Sequence, residues 1–312
     1  MSYESRMLAQ FAMPNRKDVE QSLLRVLLRN GGAIKDFSSG QPIVDQIAGE
    51  FALSGSQRSA FLETIYRKQN RVKKALLWHR LLFRAADSLA KQNLVSRPTQ
   101  TIQLTSKREW MLTEKGLDEA LKISDVPQPR KECVQTKSFE VQKIVKRLKE
   151  SPPSRKDYNP FDTAKRTKQT TKQSLLRNRG FRQAVTEAYQ FKCAVCGLKI
   201  SSPDSLIWEV EAAHIVPHRS LGRDDICNGI ALCHFHHWAF DVGWFALLDD
   251  YKIQVCALVS SLPLDCGRMQ SYELFQALKQ RGARIALPSK TEIHPHPIAM
   301  RWHRENVFYR VK

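Results

Sequence analysis

Two short spacings set the first chemical expectation. Cys193 and Cys196 form a C-x-x-C pair, and Cys233 and His236 form a C-x-x-H pair. Thiolate and imidazole ligands in two such pairs close a tetrahedral set, the arrangement a structural Zn²⁺ takes. In a reducing compartment, closely spaced Cys and His point to metal before disulfides. The competing reading, two core cysteines and surface histidines, leaves the doubled spacing unexplained. Cys133, Cys227, Cys256 and Cys266 stand at no ligand spacing and read as core or incidental thiols.

A helix over this segment would put Cys233 and His236 on one face, three residues apart. His237 is rotated by about 100° from His236 and shares a face with Asp241, four residues on. One short helix would then present Cys233/His236 to one ion and His237/Asp241 to another. Alternatively, His237 and Asp241 only pair with each other at the surface. Upstream, Leu206–Ala213 is apolar-rich and reads as a strand leading to His214, with Pro217 ending it. Asn228-Gly229 reads as a turn before the helix.

The pattern AHI-x-P, then NG-x-x-LC-x-x-HH-x-x-FD-x-G, resembles the HNH endonuclease family, whose fold is ββα-metal. The lead-in RNRGFRQAVTEAYQFKCAVCG and the tail LPSKTEIHPHPIAMRWHRENVF resemble it too, so the likeness runs over about 175–312. The resemblance implies roles residue by residue. His214 matches the general base that activates water, and Asn228 the residue that ties down the loop behind it. His237 matches a ligand of the catalytic divalent ion, Mg²⁺ or similar. Cys193, Cys196, Cys233 and His236 match the structural zinc of one subgroup. Such a site hydrolyses phosphodiesters: a neutral imidazole takes the proton from water, and the ion stabilises phosphate charge. One departure stands out. Many members carry a metal ligand immediately before the first His, where this chain has Ala213. Asp241, or less favourably Glu211, would supply the missing ligand.

The elements that must position this site follow from composition. The chain has 312 residues, long enough for two domains. Its 50 Lys+Arg against 31 Asp+Glu give a net charge of +19, the balance of a protein that meets a polyanion. Residues 131–180 hold 14 basic against 5 acidic residues, a disproportionate share suited to a phosphate backbone or to a solvated linker. Pro-containing breaks around residues 126–129, 151–154 and 159–160 favour the linker, with one basic helix over Ser138–Lys149. No apolar run spans a bilayer, and the first residues lack a signal core. A cytoplasmic location with no membrane partner is therefore expected.

Residues 17–123 read as mostly helical, with helices over Val19–Arg29, Ile43–Phe51, Ser54–Gln69 and Val72–Gln92. Thr101–Leu104 and Glu109–Leu112 are expected to pair as a hairpin around Ser106-Lys107-Arg108, and Thr113 to cap a last helix. FRAADSLAKQNLVSRP followed by WMLTEKG resembles the N-terminal winged-helix domain of Mrr-type restriction enzymes. Arg80, Arg84, Lys91, Arg97, Lys107, Arg108 and, in the nuclease part, Arg219 are the candidate DNA contacts.

The expected fold class is thus α+β: a winged-helix domain over 1–124, a basic linker over 125–174, and a zinc-braced ββα-metal nuclease over 175–312. The expected function is metal-dependent DNA cleavage in restriction or anti-phage defence. A homodimer or partner defence proteins would supply a second cut. The alternatives are a non-catalytic zinc-containing DNA-binding regulator and a nickase within a multi-protein system.

Overall fold

A computed structural model describes residues 3–37, 41–66, 71–124, 134–162, 171–257 and 282–310. The chain divides into two compact units, Met1–Gln142 and Lys143–Lys312. The stretch read as a linker therefore contributes residues to both.

The first unit runs α1 (Tyr3–Gln10), α2 (Arg16–Arg29), β1 (Ala33–Lys35), α3 (Gln41–Glu50), α4 (Gly55–Ser59), β2 (Phe61–Tyr66), β3 (Arg71–Leu76), α5 (Leu77–Lys91), β4 (Val95–Ser96), α6 (Pro98–Thr105), β5 (Glu109–Leu112) and α7 (Glu114–Ile123). The Asn15 side chain caps α2 by accepting from the Asp18 amide at 3.0 Å. Val19, Leu23, Val26 and Leu27 then bury one helical stripe. On α5 the stripe is Leu77, Trp78, Leu81, Leu82, Ala85 and Leu89. Thr113 caps α7, accepting from the Gly116 amide at 3.0 Å. Three strands form an antiparallel sheet in the order β1-β5-β4.

Three sequence expectations fail here. The expected helix over Ser54–Gln69 stops at Ser59. The chain continues instead into β2, paired in register with β3, so the expected Val72–Gln92 helix begins only at Leu77. Exposed Phe61 next to buried Leu62 is the period-2 alternation of a half-buried strand, read as helical because the run is short. Thr101–Leu104 lie in α6 rather than in a hairpin strand. Pro98 fixes φ for the first turn, and Thr101 is fully buried with its hydroxyl on the Pro98 carbonyl at 3.2 Å. The partners of β5 are instead β1 and β4.

The helix α8 (Phe139–Glu150) precedes the second unit's own elements: α9 (Thr171–Ala188), β6 (Val210–His214), β7 (Gly229–Cys233), α10 (His234–Asp241), β8 (Phe245–Leu247), β9 (Ile253–Val255) and α11 (Pro297–Asn306). The hairpin β6-β7 runs in register from Val210↔Cys233 to His214↔Gly229, and α10 begins at the very next residue. The strand is shorter than the expected Leu206–Ala213 and ends on His214 itself. Helix α9 lies across the hairpin at Gly229, where a Cβ would meet Val185 Cγ2 at 2.4 Å. At the other end of the unit, the ring of His303 on α11 stacks on Phe240 of α10 at 3.6 Å. Its Nε2 donates to the Phe240 carbonyl at 3.0 Å, and Arg304 donates to the Leu247 carbonyl at 2.6 Å. These contacts tie α11 to the ββα core.

Candidate active site

The two knuckles converge. Cys193, Cys196, Cys233 and His236 each offer a ligand atom, all within 4.8 Å of one another. Cys193 Sγ lies 3.6 Å from His236 Nδ1, and Cys196 Sγ lies 3.9 Å from Cys233 Sγ. Ligands about 2.0–2.3 Å from a central zinc would stand at such separations. Cys193, Cys233 and His236 are fully buried. Hydrogen bonds from Cys196 and Cys233 hold the Cys193 thiol far below its usual range. The hydrogen bond to Cys193 in turn pushes Cys196 up to about 11, and hydrogen bonds to Cys193 and Cys196 push Cys233 higher still. The donor set can thus be fully ionised only around a cation, and it fits zinc. Cys233 ends β7 and stands at the N-cap of α10 rather than within the helix, so strand and helix each contribute to this knuckle.

His214, at the end of β6, is largely buried. Its ring stacks on Phe181 of α9 at 3.9 Å, and its Nε2 is 3.0 Å from Asp224 Oδ1. His218 Nε2 reaches the same oxygen at 2.9 Å, and Arg177 holds Oδ2 at 3.1 Å. Burial lowers the His214 pKa, and the Asp224 hydrogen bond only partly offsets it, so the ring is neutral at pH 7. Burial would raise the Asp224 carboxyl, but hydrogen bonds from His214 and His218 outweigh it and keep the group ionised. His214, His218 and Asp224 also lie close enough to hold an ion.

Asn228 is fully buried. Its Oδ1 accepts from the Val216 amide at 2.8 Å, and its Nδ2 donates to the carbonyls of Val216 and Arg223 at 3.0 Å each. It ties the start of the loop at Val216 to Arg223, the residue before Asp224. Gly222 in that loop packs so tightly that a Cβ would meet the Val216 carbonyl oxygen at 1.7 Å. Asp225 accepts from the amides of Cys227 and Asn228 at 2.9 and 3.0 Å, and from the Tyr158 hydroxyl at 3.0 Å.

Two carboxylates bracket His237 on α10. Glu211 of β6 is 2.6 Å from Nδ1, and Asp241 is 3.5 Å from Nε2. Burial lowers the His237 pKa, but the Glu211 hydrogen bond outweighs it and the net shift is upward. Glu211 is correspondingly lowered by His237. Burial raises Asp241, whose charge also feels His237, Arg219 and His214.

Residues 193–248 match the family model described as HNH endonuclease. The chain carries an HNH endonuclease domain. Its Cys/His cluster, ββα hairpin and helix all fall inside the matched span. Among solved structures, a chain titled modification-dependent TagI restriction endonuclease is similar at 21% identity, over 41% of this chain and 37% of that one, with a TM-score of 0.29. The present chain thus matches well under half the length of that enzyme. No curated protein sequence matches the chain.

The expected DNA contacts of the first unit are mostly engaged with acids. Arg80 and Arg84 both reach Glu4 at 2.8 Å. Lys91 and Arg97 share Asp87 at 3.0 and 2.6 Å, and Arg108 pairs with buried Asp36 at 3.1 Å. Lys107 and Arg219 are exposed. Sequence reasoning missed Asp224, Arg177 and Phe181. The one signal for Asp224 was an acidic pair, Asp224-Asp225, just before Asn228-Gly229 in a basic chain.

Proposed function

We propose that the protein is a divalent-metal-dependent DNA endonuclease of restriction or defence type, with His214 as general base. The observation that carries this reading is His214 itself. It is an imidazole at the end of β6 whose pKa is lowered by burial, hydrogen-bonded to Asp224 and stacked on Phe181. His214 takes a proton from the attacking water; Asp224 orients the ring and stabilises the imidazolium. Asn228 holds the loop that keeps Asp224 in place. His237 Nε2 and Asp241 would hold the divalent ion, while Glu211 fixes the ring through Nδ1 in the usual carboxylate–histidine arrangement. When bound, the ion stabilises the charge of the phosphate and of the leaving oxygen. Cys193, Cys196, Cys233 and His236 hold zinc and brace the helix. The N-terminal unit contacts DNA as a winged helix. Its alternation of helices with a three-stranded antiparallel β1-β5-β4 sheet supports that assignment.

The deciding experiment uses supercoiled plasmid, modified and unmodified, with Mg²⁺, Mn²⁺ or no added metal. Wild type is expected to nick or linearise it only with a divalent ion. His214→Ala is expected to fold, keep its zinc and bind DNA, and to lose at least about a hundredfold in cleavage rate. Cleavage at the wild-type rate by His214→Ala would refute the base. No cleavage by well-folded wild type would favour a zinc-containing DNA-binding regulator.

A second reading has its own observation: His214, His218 and Asp224 can surround an ion. In that case His214 would be a ligand, and His218→Ala would abolish metal binding. Under the first reading that variant retains it.

A further inference from the structure

We infer that the N-terminal unit contains a nucleotide-binding pocket, lined by four of the arginines that the sequence offered as DNA contacts. A cavity of about 460 Å³ opens between α5, the start of α6 and β5. That volume is within the range of small-ligand sites. Its apolar wall is built from rings. Trp110 is backed by Phe37, stacked at 5.7 Å, and Phe37 meets Phe83 edge-on at 5.3 Å. Phe83 remains 40% exposed although it belongs to this wall. Trp110 is 4% exposed, and its indole Nε1 is a buried donor with no hydrogen-bond partner. Leaving such a donor buried and unpaired is unfavourable, so an acceptor from a ligand is the natural complement.

The polar wall is cationic. Arg80, Arg84, Arg97 and Arg108 line the cavity against only two lining carboxylates, Asp36 and Asp87. Arg80 and Arg84 share the single carboxylate of Glu4, and Arg97 shares Asp87 with Lys91. Positive charge is therefore left over beside an aromatic face. That combination fits a ligand with a planar ring and an anionic group, a nucleoside phosphate. The base lies against Phe83 and Trp110, and the phosphate meets the arginines. Asp36 and Asp87 are acceptors for exocyclic amino groups, which would distinguish one base from another. The same chemistry comes from a free nucleotide or from a nucleotide turned out of a DNA strand.

The test titrates the full-length protein, without added divalent ion, with 2′-deoxynucleoside 5′-monophosphates by calorimetry. A duplex carrying 2-aminopurine is followed in parallel by fluorescence. Wild type is expected to bind a mononucleotide. Phe83→Ala is expected to weaken binding about tenfold, the effect of losing one stacking ring. Arg84→Gln should weaken the monophosphate more than the nucleoside. Trp110→Phe, which retains the wall, should weaken both. Brightening of 2-aminopurine on duplex binding, competed by mononucleotide, identifies a strand nucleotide as the ligand. Mononucleotide binding with a dark duplex identifies a free nucleotide. The pocket is refuted if neither ligand gives a signal, or if Phe83→Ala and Arg84→Gln melt and bind like wild type. Binding is read without cleavage, so this result and the nuclease reading stand or fall separately.

Discussion

At the scale of single residues, the decisive group is the carboxylate of Asp224. It accepts from His214, His218 and Arg177 at once, which is why it stays ionised despite burial. Asp224→Asn retains the shape and removes the charge. Cleavage is expected to fall at least about tenfold, as when the acid that orients a histidine base is neutralised. The Asp224 hydrogen bond raises the His214 pKa, so its loss lowers that pKa further. The acid limb of the pH–rate profile should then move to lower pH. An unshifted limb would separate Asp224 from the base. The two carboxylates beside His237 make a second pair of expectations. Asp241→Asn should abolish divalent binding at the catalytic site, whereas Glu211→Gln should weaken it by about ten- to a hundredfold, the scale of losing a partner that orients a ligand. Equal losses in a Mn²⁺ titration would mean that both are ligands.

At the scale of elements, the site depends on a strand-to-helix junction. Cys233 closes β7, and His236 and His237 lie on successive faces of an eight-residue α10. A helix this short has little stability of its own in water. Its geometry is set by the cluster on one side and by Phe240 against His303 on the other. Cys193→Ser is expected to release zinc and unfold the second unit while the first stays folded, because binding energy at such a site is folding energy. Metal content by mass spectrometry and two-transition melting would read this. A variant that retains both its zinc and its melting profile would rule out the cluster as the brace.

At the scale of the whole molecule, α11 returns to cover the nuclease core, and His303 makes that contact sensitive to pH. Burial depresses its pKa to about 4, from an ordinary 6.5. Between these values the unfolded chain binds the proton and the folded chain does not. Stability is therefore full above about pH 6.5 and is lost as pH falls toward 4, by about 3 kcal/mol in total. His303→Phe retains the stack on Phe240 and loses the titration. It should be slightly less stable than wild type at pH 7.5 and more stable near pH 4.5. Parallel melting curves across that range would refute the contribution. Among the described residues no helix is long and apolar enough to cross a membrane.

The cysteine and histidine spacings and the basic charge were legible in the sequence, because ligand chemistry and composition are recorded in a linear pattern, whereas the ββα order followed from the resemblance to HNH endonucleases. Thr113 as a cap and Asn228 near a turn were legible from local pattern. What only the tertiary structure decided is which side chains meet across distance. Asp224 reaches His214 because Asn228 folds the intervening loop back, and no spacing rule encodes that. Glu211 lies closer to His237 than Asp241 does, because strand pairing places it beside the helix. Strands β2 and β3, and a helix over residues 101–104, form because burial of Leu62 and Thr101 outweighs weak local preference in short runs. Arg80, Arg84, Lys91, Arg97 and Arg108, candidates for DNA in the sequence, share the three carboxylates of Glu4, Asp36 and Asp87, since a folded domain brings together charges that a sequence lists separately.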